Sequence, residues 1–244
     1  MRQDLSRRAL FQLLTSSGMA WLLAGEMEGA QKQMPAVDAV DHLMIGAADL
    51  DRAIQWVEQR TGVRAAIGGT HPGRGTRNAL IALRGRQYVE IIAPDPAQRE
   101  SLASHLRSIT EPRLIGWAAE TADIEALAKR IRAMGHEPTV PRPGSRSRPD
   151  GRVLKWTTLG VSSKFAADGV DPIPFFIQWG TDSAHPSSDS PAGCELSSLE
   201  FEHRDSGDLS DTLARLEISA TVRQTQSVAI VATLNTPKGT VVVR

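Results

Sequence analysis

The sequence predicts an α+β protein in which paired βαβββ modules form a curved mixed β-sheet cup, with a C-terminal βαββ half-module. Three observations support this fold class. Apolar runs of strand length alternate with stretches whose apolar residues recur at helical spacing. Residues 48–53 align with residues 122–127, so the same strand-helix unit occurs at least twice. Gly62 and Gly135 follow the two helical stretches, where helices commonly end.

The first module begins with an apolar strand at residues 40–45, which leads into a helix at residues 49–60. Two further strands are predicted at residues 78–83 and 87–92. Only a short Arg-Gly-Arg turn separates them, and a turn of this length favours a hairpin.

The second module repeats this order after a connecting helix predicted at residues 96–109. Its strand, its helix and its two later strands are predicted at residues 113–120, 123–134, 153–159 and 174–179. The helix carries apolar residues at helical spacing. Residues 141–151 are rich in proline, glycine, serine and arginine, and this composition indicates a loop.

The sequence divides the whole chain into four parts. A signal segment is predicted at residues 1–30, and the two-module domain at residues 31–182. A linker rich in serine, proline and aspartate follows at residues 183–194. The C-terminal half-module, residues 195–244, is expected to pack on the same domain and to end in a hairpin.

Composition limits the classes of function. The chain has 244 residues, with 28 basic and 28 acidic side chains. Zero net charge and few aromatic residues argue against a nucleic-acid partner. Cys194 is the only cysteine, so an intrachain disulfide is excluded. No Gly-x-Ser-x-Gly, His-Glu-x-x-His or phosphate-loop motif is present, which removes the enzyme classes that depend on them.

The N-terminus resembles a twin-arginine export signal. Arg7 and Arg8 precede Leu10 and Phe11, and a short, weakly apolar stretch follows. It is too short and too polar for a membrane span. We therefore expect a periplasmic or exported protein that contacts a membrane only during export. The alternative is an amphipathic helix on a cytoplasmic protein.

His42 and Glu90 are the strongest candidates for a functional site. Each is a polar residue within an apolar strand, and the two strands belong to the same module. An unpartnered charge is costly to bury, so a shared role for the two residues is favoured. Beside a neutral wall the pKa of Glu90 would rise, and the carboxylate would then act as a general base. For His42 alone, a hydrogen-bonded core histidine is the simpler interpretation.

Other candidates have weaker support. His71 and Asn78 lie in or beside a glycine-rich segment, residues 68–75, and are candidate ligand-binding residues. The segment is no dinucleotide loop, because a strand rather than a helix follows it. Trp117 is a candidate ligand-binding residue or a core plug. Arginines 142, 146, 148 and 152 fit a solvated loop better than an anion clamp, and the role of His185 stays open.

Taken together, the residues around His42 and the run from Tyr88 to Ala93 resemble the vicinal oxygen chelate superfamily, which includes glyoxalase I, extradiol dioxygenases and bleomycin-resistance proteins. Residues 68–80, 116–118 and 174–179 resemble its glyoxalase-like domain group more narrowly. The resemblance covers about residues 37–179. It implies a small-molecule pocket inside the cup, and it is compatible with a homodimer.

The resemblance also implies a set of metal-ligand positions. Those positions are His42, Glu90, Gly116 and Gln178, of which Gly116 has no side chain to offer. The expected ligands are thus His42, Glu90 and Gln178, and Gln178 is also a candidate ligand-binding residue. Imidazole, carboxylate and amide donors suit Mn, Fe, Ni or Zn.

Two classes of function follow from these expectations. The first is a metal-dependent lyase, isomerase or dioxygenase that acts on a small oxygenated substrate, with Glu90 as the catalytic residue. The second is a non-catalytic protein that sequesters a ligand without a metal. The incomplete ligand set favours the second class, and the pairing of His42 with Glu90 favours the first. A partner-binding role of the C-terminal half-module is a weaker third interpretation.

Overall fold

The computed structural model describes residues 33–98, 104–148 and 150–244. The predicted export segment, residues 1–30, lies outside the described residues. Residues 33–244 belong to one compact unit. Among the described helices, none is long and apolar enough to cross a membrane.

The first module has the predicted βαβββ order, preceded by a short entry segment. Its elements are β1 (Met34–Pro35), α1 (Ala36–Ala39), β2 (Val40–Gly46), α2 (Leu50–Thr61), β3 (Ala66–His71), β4 (Thr76–Ala82) and β5 (Tyr88–Pro94). Helix α2 begins where the carboxylate of Asp49 accepts a hydrogen bond from the backbone N–H of Arg52. It ends at Gly62, whose φ of 78° lies in the left-handed region.

The second module repeats this order. Its elements are β6 (Arg113–Glu120), α3 (Ile124–Ala133), β7 (Arg142–Ser147), β8 (Val153–Leu159) and β9 (Phe175–Trp179). Strand β7 replaces the loop expected at residues 141–151, so that expectation is wrong. Of the connecting helix expected at residues 96–109, the described part contains only a 3-10 turn, Ser104–Ser108.

The C-terminal module contains two short strands that were not expected. After a 3-10 turn at Pro186–Ser188, its elements are β10 (Glu195–His203), α4 (Ser206–Arg215), β11 (Ile218–Ser219), β12 (Thr221–Gln224), β13 (Ala229–Thr236) and β14 (Gly239–Val243). Four of these strands form a sheet in the order β12-β10-β13-β14. The module is therefore βαβββ-like, because β12 pairs in parallel with β10.

The predicted cup closes into a barrel. Its eight strands run in the order β2-β5-β4-β3-β7-β8-β9-β6, and β6 returns to pair with β2. On the opposite side, closure depends on a single pair, Thr70 of β3 with Ser147 of β7. The interior of an eight-stranded barrel is wide enough for side chains or one small ligand.

The main hydrophobic core lies outside the barrel, between its wall and the elements that cover it. Leu50, Ile54 and Val57 of α2 are buried, as their spacing predicts for one helix face. The C-terminal sheet covers another part of the wall, where the rings of Trp117 and Phe201 lie 5.7 Å apart. The barrel interior holds polar side chains together with aromatic and aliphatic ones.

We expect Gly69→Ala to loosen the closure between β3 and β7. Gly69 has a φ of 141°, and a Cβ there would collide with the backbone oxygen of Ser147. The substitution should lower the free energy of unfolding by about 2 kcal/mol or more, because backbone cannot move aside cheaply. Denaturant unfolding measures this loss. Gly73→Ala is the control, since Gly73 also has positive φ but has no atom close to the added Cβ. Equal losses in both variants would contradict the expectation.

Candidate functional site

His42 and Glu90 face the same interior. Strands β2 and β5 run in parallel, with His42 opposite Tyr88 and Met44 opposite Glu90. Side chains two residues apart share a face of a strand, so all four residues line the interior cavity. The Nε2 atom of His42 lies 3.5 Å from Oε2 of Glu90, and both side chains are almost fully buried. The structure thus joins the two residues that the sequence proposed as partners.

His71 and Asn78 reach Glu90 from the neighbouring strands. Asn78 of β4 donates a 2.6 Å hydrogen bond from Nδ2 to Oε1 of Glu90. The Nε2 atom of His71, at the end of β3, lies 3.7 Å from the same oxygen. Its Nδ1 atom is 2.8 Å from the hydroxyl of Thr76, which fixes the ring. Both residues therefore lie in the site where the sequence proposed them.

Arg146 completes the polar wall and was not predicted. It lies on β7, and its side chain points into the cavity rather than into solvent, with 3% of its surface exposed. Among the described residues it has one hydrogen bond, a long 3.4 Å contact from Nη1 to Oδ1 of Asn78. A guanidinium has five N–H donors. Most of the hydrogen-bonding capacity of Arg146 is thus directed at the cavity.

The glycine-rich segment makes room for this contact. A Cβ at Gly68 would collide with Nη1 of Arg146 and with Oδ1 of Asn78. Only glycine lets the backbone of β3 pass so close beneath both side chains. The glycines of this segment therefore leave room for the two side chains and do not form a nucleotide-binding loop.

Asp41 anchors one side of the site. Its fully buried carboxylate lies 2.6 Å from Nδ1 of His42, 3.1 Å from Nε2 of His185 and 2.9 Å from Nε1 of Trp179. A carboxylate only accepts hydrogen bonds, so each of these nitrogens carries its proton toward Asp41. The Nε2 atom of His42 is consequently the one that faces Glu90. The β-bulge between Val40 and His42 allows two consecutive side chains to reach one region.

Aromatic rings form the rest of the interior wall. Tyr88 stacks on His42 with 4.6 Å between ring centroids, and Phe175 meets the same imidazole edge-on at 5.5 Å. Trp156 packs edge-on against His71. The cavity between these groups has a volume of about 90 Å³. This is more than the space of one water molecule and suits a ligand of a few heavy atoms.

The charges of the site fix the protonation of Glu90. Burial alone would raise the pKa of Glu90, as the sequence analysis expected. Electrostatic interactions with His71, His42 and Arg146 and the hydrogen bond from Asn78 outweigh burial, so the pKa lies below its usual value. The rise was expected only beside a neutral wall, and this wall is charged. Glu90 is an anion at neutral pH.

The pKa values of three neighbouring groups are shifted as well. Burial lowers the pKa of His71, and Arg146 lowers it further, although Glu90 acts in the opposite direction. Burial would raise the pKa of Asp41, but hydrogen bonds from His185, His42 and Trp179 bring it well below its usual value. Burial together with the carboxylates of Asp41 and Glu90 raises the pKa of Tyr88.

Two predicted site residues do not join the others. Trp117 is buried on the outer side of the barrel, where its Nε1 donates to the carbonyl of Pro172. Gln178 lies between Ile177 and Trp179, which both line the cavity, so its own side chain points away. Its Oε1 accepts a 2.9 Å hydrogen bond from the backbone N–H of Ile124 at the start of α3. The placement of Trp117 and Gln178 in the interior pocket is thus corrected.

The error at Gln178 is an error of strand register. On β9 the residues that face the cavity are Phe175, Ile177 and Trp179, and Phe175 pairs with Ala118 of β6 as Glu90 pairs with Met44 of β2. A shift by an odd number of residues moves a side chain to the other face of a strand. The aligned motifs in the sequence were too weak to fix that register.

The metal expected from the resemblance does not fit these residues. The second module contributes Gly116 and Phe175, which have no donor side chain, while Gln178 is turned outward. Among the described residues, no group of three or more His, Cys, Asp or Glu side chains is placed to hold a metal ion. Arg146 also brings a positive charge to the same wall. The predicted ligand set of His42, Glu90 and Gln178 for Mn, Fe, Ni or Zn is therefore not assembled.

Comparison with known proteins identifies the family. The model of the glyoxalase-like domain matches residues 40–217 of this chain. A hypothetical protein from Staphylococcus aureus has 17% sequence identity to it and a TM-score of 0.62, over 78% of this chain and 87% of that chain. This likeness shows a common fold.

Two further solved structures are similar over a shorter part. Methylmalonyl-CoA epimerase from Mycobacterium tuberculosis has 21% identity and a TM-score of 0.42, over 62% of this chain and 94% of that chain. A variant of the Streptomyces coelicolor epimerase in complex with 2-nitronate-propionyl-CoA has the same identity and TM-score, over 60% of this chain and 97% of that chain. No curated protein matches the chain. Since the family model covers most of the sequence, the chain belongs to the glyoxalase-like domain family.

Proposed function

We propose that the interior cavity binds a small organic acid and that Glu90 moves a proton on the carbon next to its carbonyl group. The product is an isomer of the substrate when the proton returns to the opposite face of the same carbon, and return to the original face gives exchange alone. On this proposal the protein is an isomerase that acts on small oxygenated anions without a metal ion. A metal-dependent lyase or dioxygenase has less support, since the donors for its metal are not assembled.

The observation that carries this proposal is the buried guanidinium of Arg146. A buried cation is stable only when paired or hydrogen-bonded. Its side chain lines the cavity and makes one long hydrogen bond among the described residues, while Glu90 offsets part of its charge. A carboxylate of the ligand fits this place because it accepts two parallel hydrogen bonds from a guanidinium.

The proposed chemistry uses only side chains of the site. Glu90 is ionised and accepts the proton, and the electron pair of the C–H bond moves to the carbonyl oxygen to form an enolate. Asn78 and Arg146 donate hydrogen bonds, the type of group that stabilises such an oxyanion. The proton returns to carbon from Glu90, or from Nε2 of His42 after Glu90 has passed the proton to that nitrogen, 3.5 Å away. No oxidant or reductant is needed.

We expect Arg146→Met to remove binding of a small 2-oxo acid. Methionine fills a similar volume but donates no hydrogen bond, so the dissociation constant for pyruvate should rise at least tenfold. Titration calorimetry of the full chain measures it. The control is Arg142→Met, since Arg142 lies on the same strand but is exposed. Unchanged affinity in Arg146→Met, or no binding of pyruvate to the wild type, would contradict the proposal.

A ligand-sequestering protein is the second candidate. The lowered pKa of Glu90 favours it, because a strongly stabilised carboxylate is a weak base. The two candidates predict the same binding but differ in turnover. Deuterium exchange at the carbon next to the carbonyl separates them, since only an enzyme catalyses it.

Export through the twin-arginine route remains a proposal as well. It rests on Arg7, Arg8 and the weakly apolar stretch that follows them. Fractionation of cells that express the full chain tests it, with Arg7→Lys/Arg8→Lys as the comparison. Periplasmic recovery that is lost in the double variant is expected. Equal recovery of both proteins from the cytoplasm would contradict export.

A further inference from the structure

A second, larger cavity lies beside the interior one. It is an open groove of about 620 Å³, lined in part by Arg74, Lys155, Trp156 and Trp179. Three of these residues, Arg74, Trp156 and Trp179, also line the interior cavity. The two spaces are therefore adjacent, and a molecule that enters the interior from the groove passes these three side chains. We call this space the outer groove.

The outer groove has a positive charge. Arg74 and Lys155 are exposed, and neither makes an ion pair with another described residue. No aspartate or glutamate is among the residues that line the groove. This asymmetry is local, because the whole chain has equal numbers of acidic and basic residues. A groove lined by charges of one sign attracts ligands of the opposite sign.

Two indole rings form the apolar part of the groove. Trp156 and Trp179 face each other across β8 and β9, with ring centroids 5.6 Å apart. Gly144 lies opposite Trp156 on β7, and a Cβ there would collide with the indole. The glycine thus lets the ring lie flat on the strand. Aromatic surfaces of this kind pack well against a planar or apolar part of a ligand.

The spacing along β7 relates the groove to Arg146. Gly144 and Ser145 line the groove, and Arg146, one or two residues further, lines the interior. At a rise of about 3.3 Å per residue, this is a distance of roughly 7 Å or less. Lys155 pairs with Ser145 in the sheet. A single ligand that spans this distance therefore reaches both cavities.

From this arrangement we propose that the ligand is an elongated dianion. One carboxylate enters the interior and pairs with Arg146, an apolar or aromatic middle packs on Trp156 and Trp179, and a second anionic group binds Arg74 and Lys155. This inference rests on the proposed function, since it extends the same site outward. The outer groove is then the part of the site that discriminates between small organic acids.

Two matched probes test the inference. 3-Phenylpropanoate and 3-(4-carboxyphenyl)propanoate differ only in a second carboxylate at the far end. Calorimetric titration of the full chain with each acid gives the ratio of their dissociation constants. We expect the diacid to bind at least tenfold more tightly to the wild type. In Arg74→Gln/Lys155→Gln the ratio should fall close to one.

The control keeps the change in net charge but moves it elsewhere. Lys129→Gln/Arg132→Gln removes two exposed cations from α3 and should retain the tenfold ratio. A ratio near one in the wild type, or a tenfold ratio that persists in the groove variant, overturns the inference.

The two proposals fail in different ways. If Arg146→Met binds the monoacid as tightly as the wild type, the proposed function fails, while the ratio between the acids still decides the role of the groove. If neither acid binds to the wild type, both proposals are contradicted.

Discussion

Asp41→Asn should destabilise the protein by about 3–5 kcal/mol, the range expected when one partner of a buried charged network is removed. The wild-type carboxylate accepts from His42, His185 and Trp179, and the carboxylate and both imidazoles are almost fully buried. An asparagine keeps the shape but replaces one acceptor by an N–H₂ donor. At least one ring nitrogen would then face a donor instead of an acceptor.

Denaturant unfolding at pH 7 measures this loss. Asp38→Asn is the matched control, because Asp38 is exposed three residues earlier, and it should change the stability by less than about 0.5 kcal/mol. An equally small effect of Asp41→Asn would show that the network is not formed in solution.

The loss of stability caused by Asp41→Asn should also depend on pH. The folded pKa of Asp41 lies below its ordinary value of 3.8. Its stabilisation is therefore complete well above pH 3.8 and is lost as the pH falls through the folded value. The difference between wild type and Asp41→Asn should be constant near neutral pH and shrink below pH 3.8. A difference that grows on acidification would contradict this assignment.

Glu90→Gln should abolish proton exchange while leaving the fold intact. Glutamine has the same shape and keeps an oxygen for Asn78, but it cannot accept a proton from carbon. Loss of a positioned general base typically reduces the rate by 10²–10⁴-fold. The readout is deuterium incorporation from D₂O into pyruvate, followed by proton NMR. Circular dichroism checks the fold.

The control for this variant is Glu58→Gln, because Glu58 is an exposed carboxylate on α2 that pairs with Arg64. It should exchange at the wild-type rate. Exchange by Glu90→Gln at the wild-type rate would remove Glu90 as the catalytic residue. Binding without exchange in the wild type would instead favour the sequestering protein.

Most of the fold follows from patterns that are visible in the sequence. Helices α2 and α3 each start at an aspartate, Asp49 and Asp123, whose side chain accepts a backbone hydrogen bond in the structure. Their apolar spacing and the glycines that follow gave both helices to within two residues. Strands such as β2 and β6 were found because buried strands are continuous apolar runs.

Strand β7 was missed because its composition is that of a loop. Arg142–Ser147 contains no apolar residue other than proline and glycine. It pairs along its length with β8, so the pairing comes from the neighbouring strand rather than from its own propensity. Arg146 was assigned to solvent for the same reason. Alternation along a strand would have placed it on one face with Gly144, but only if the segment had been recognised as a strand.

The site shows the same division between local and long-range information. His42, Glu90, His71 and Asn78 come from one module, and the sequence proposed all four. Asp41 stands next to His42, yet its partners His185 and Trp179 lie more than 130 residues away. Contacts of this kind depend on how the two halves of the barrel meet. A single sequence carries no direct signal for them.

The most direct test of the shared interior site is an NMR titration of the histidine rings in wild type and Glu90→Gln. In the wild type the pKa of His71 should lie below its ordinary value of 6.5, because burial outweighs the attraction of Glu90. Removal of that carboxylate should lower the pKa of His71 further, since the charged imidazole loses a partner. A His71 pKa that is the same in both proteins would contradict the convergence of His71 and Glu90 on one cavity.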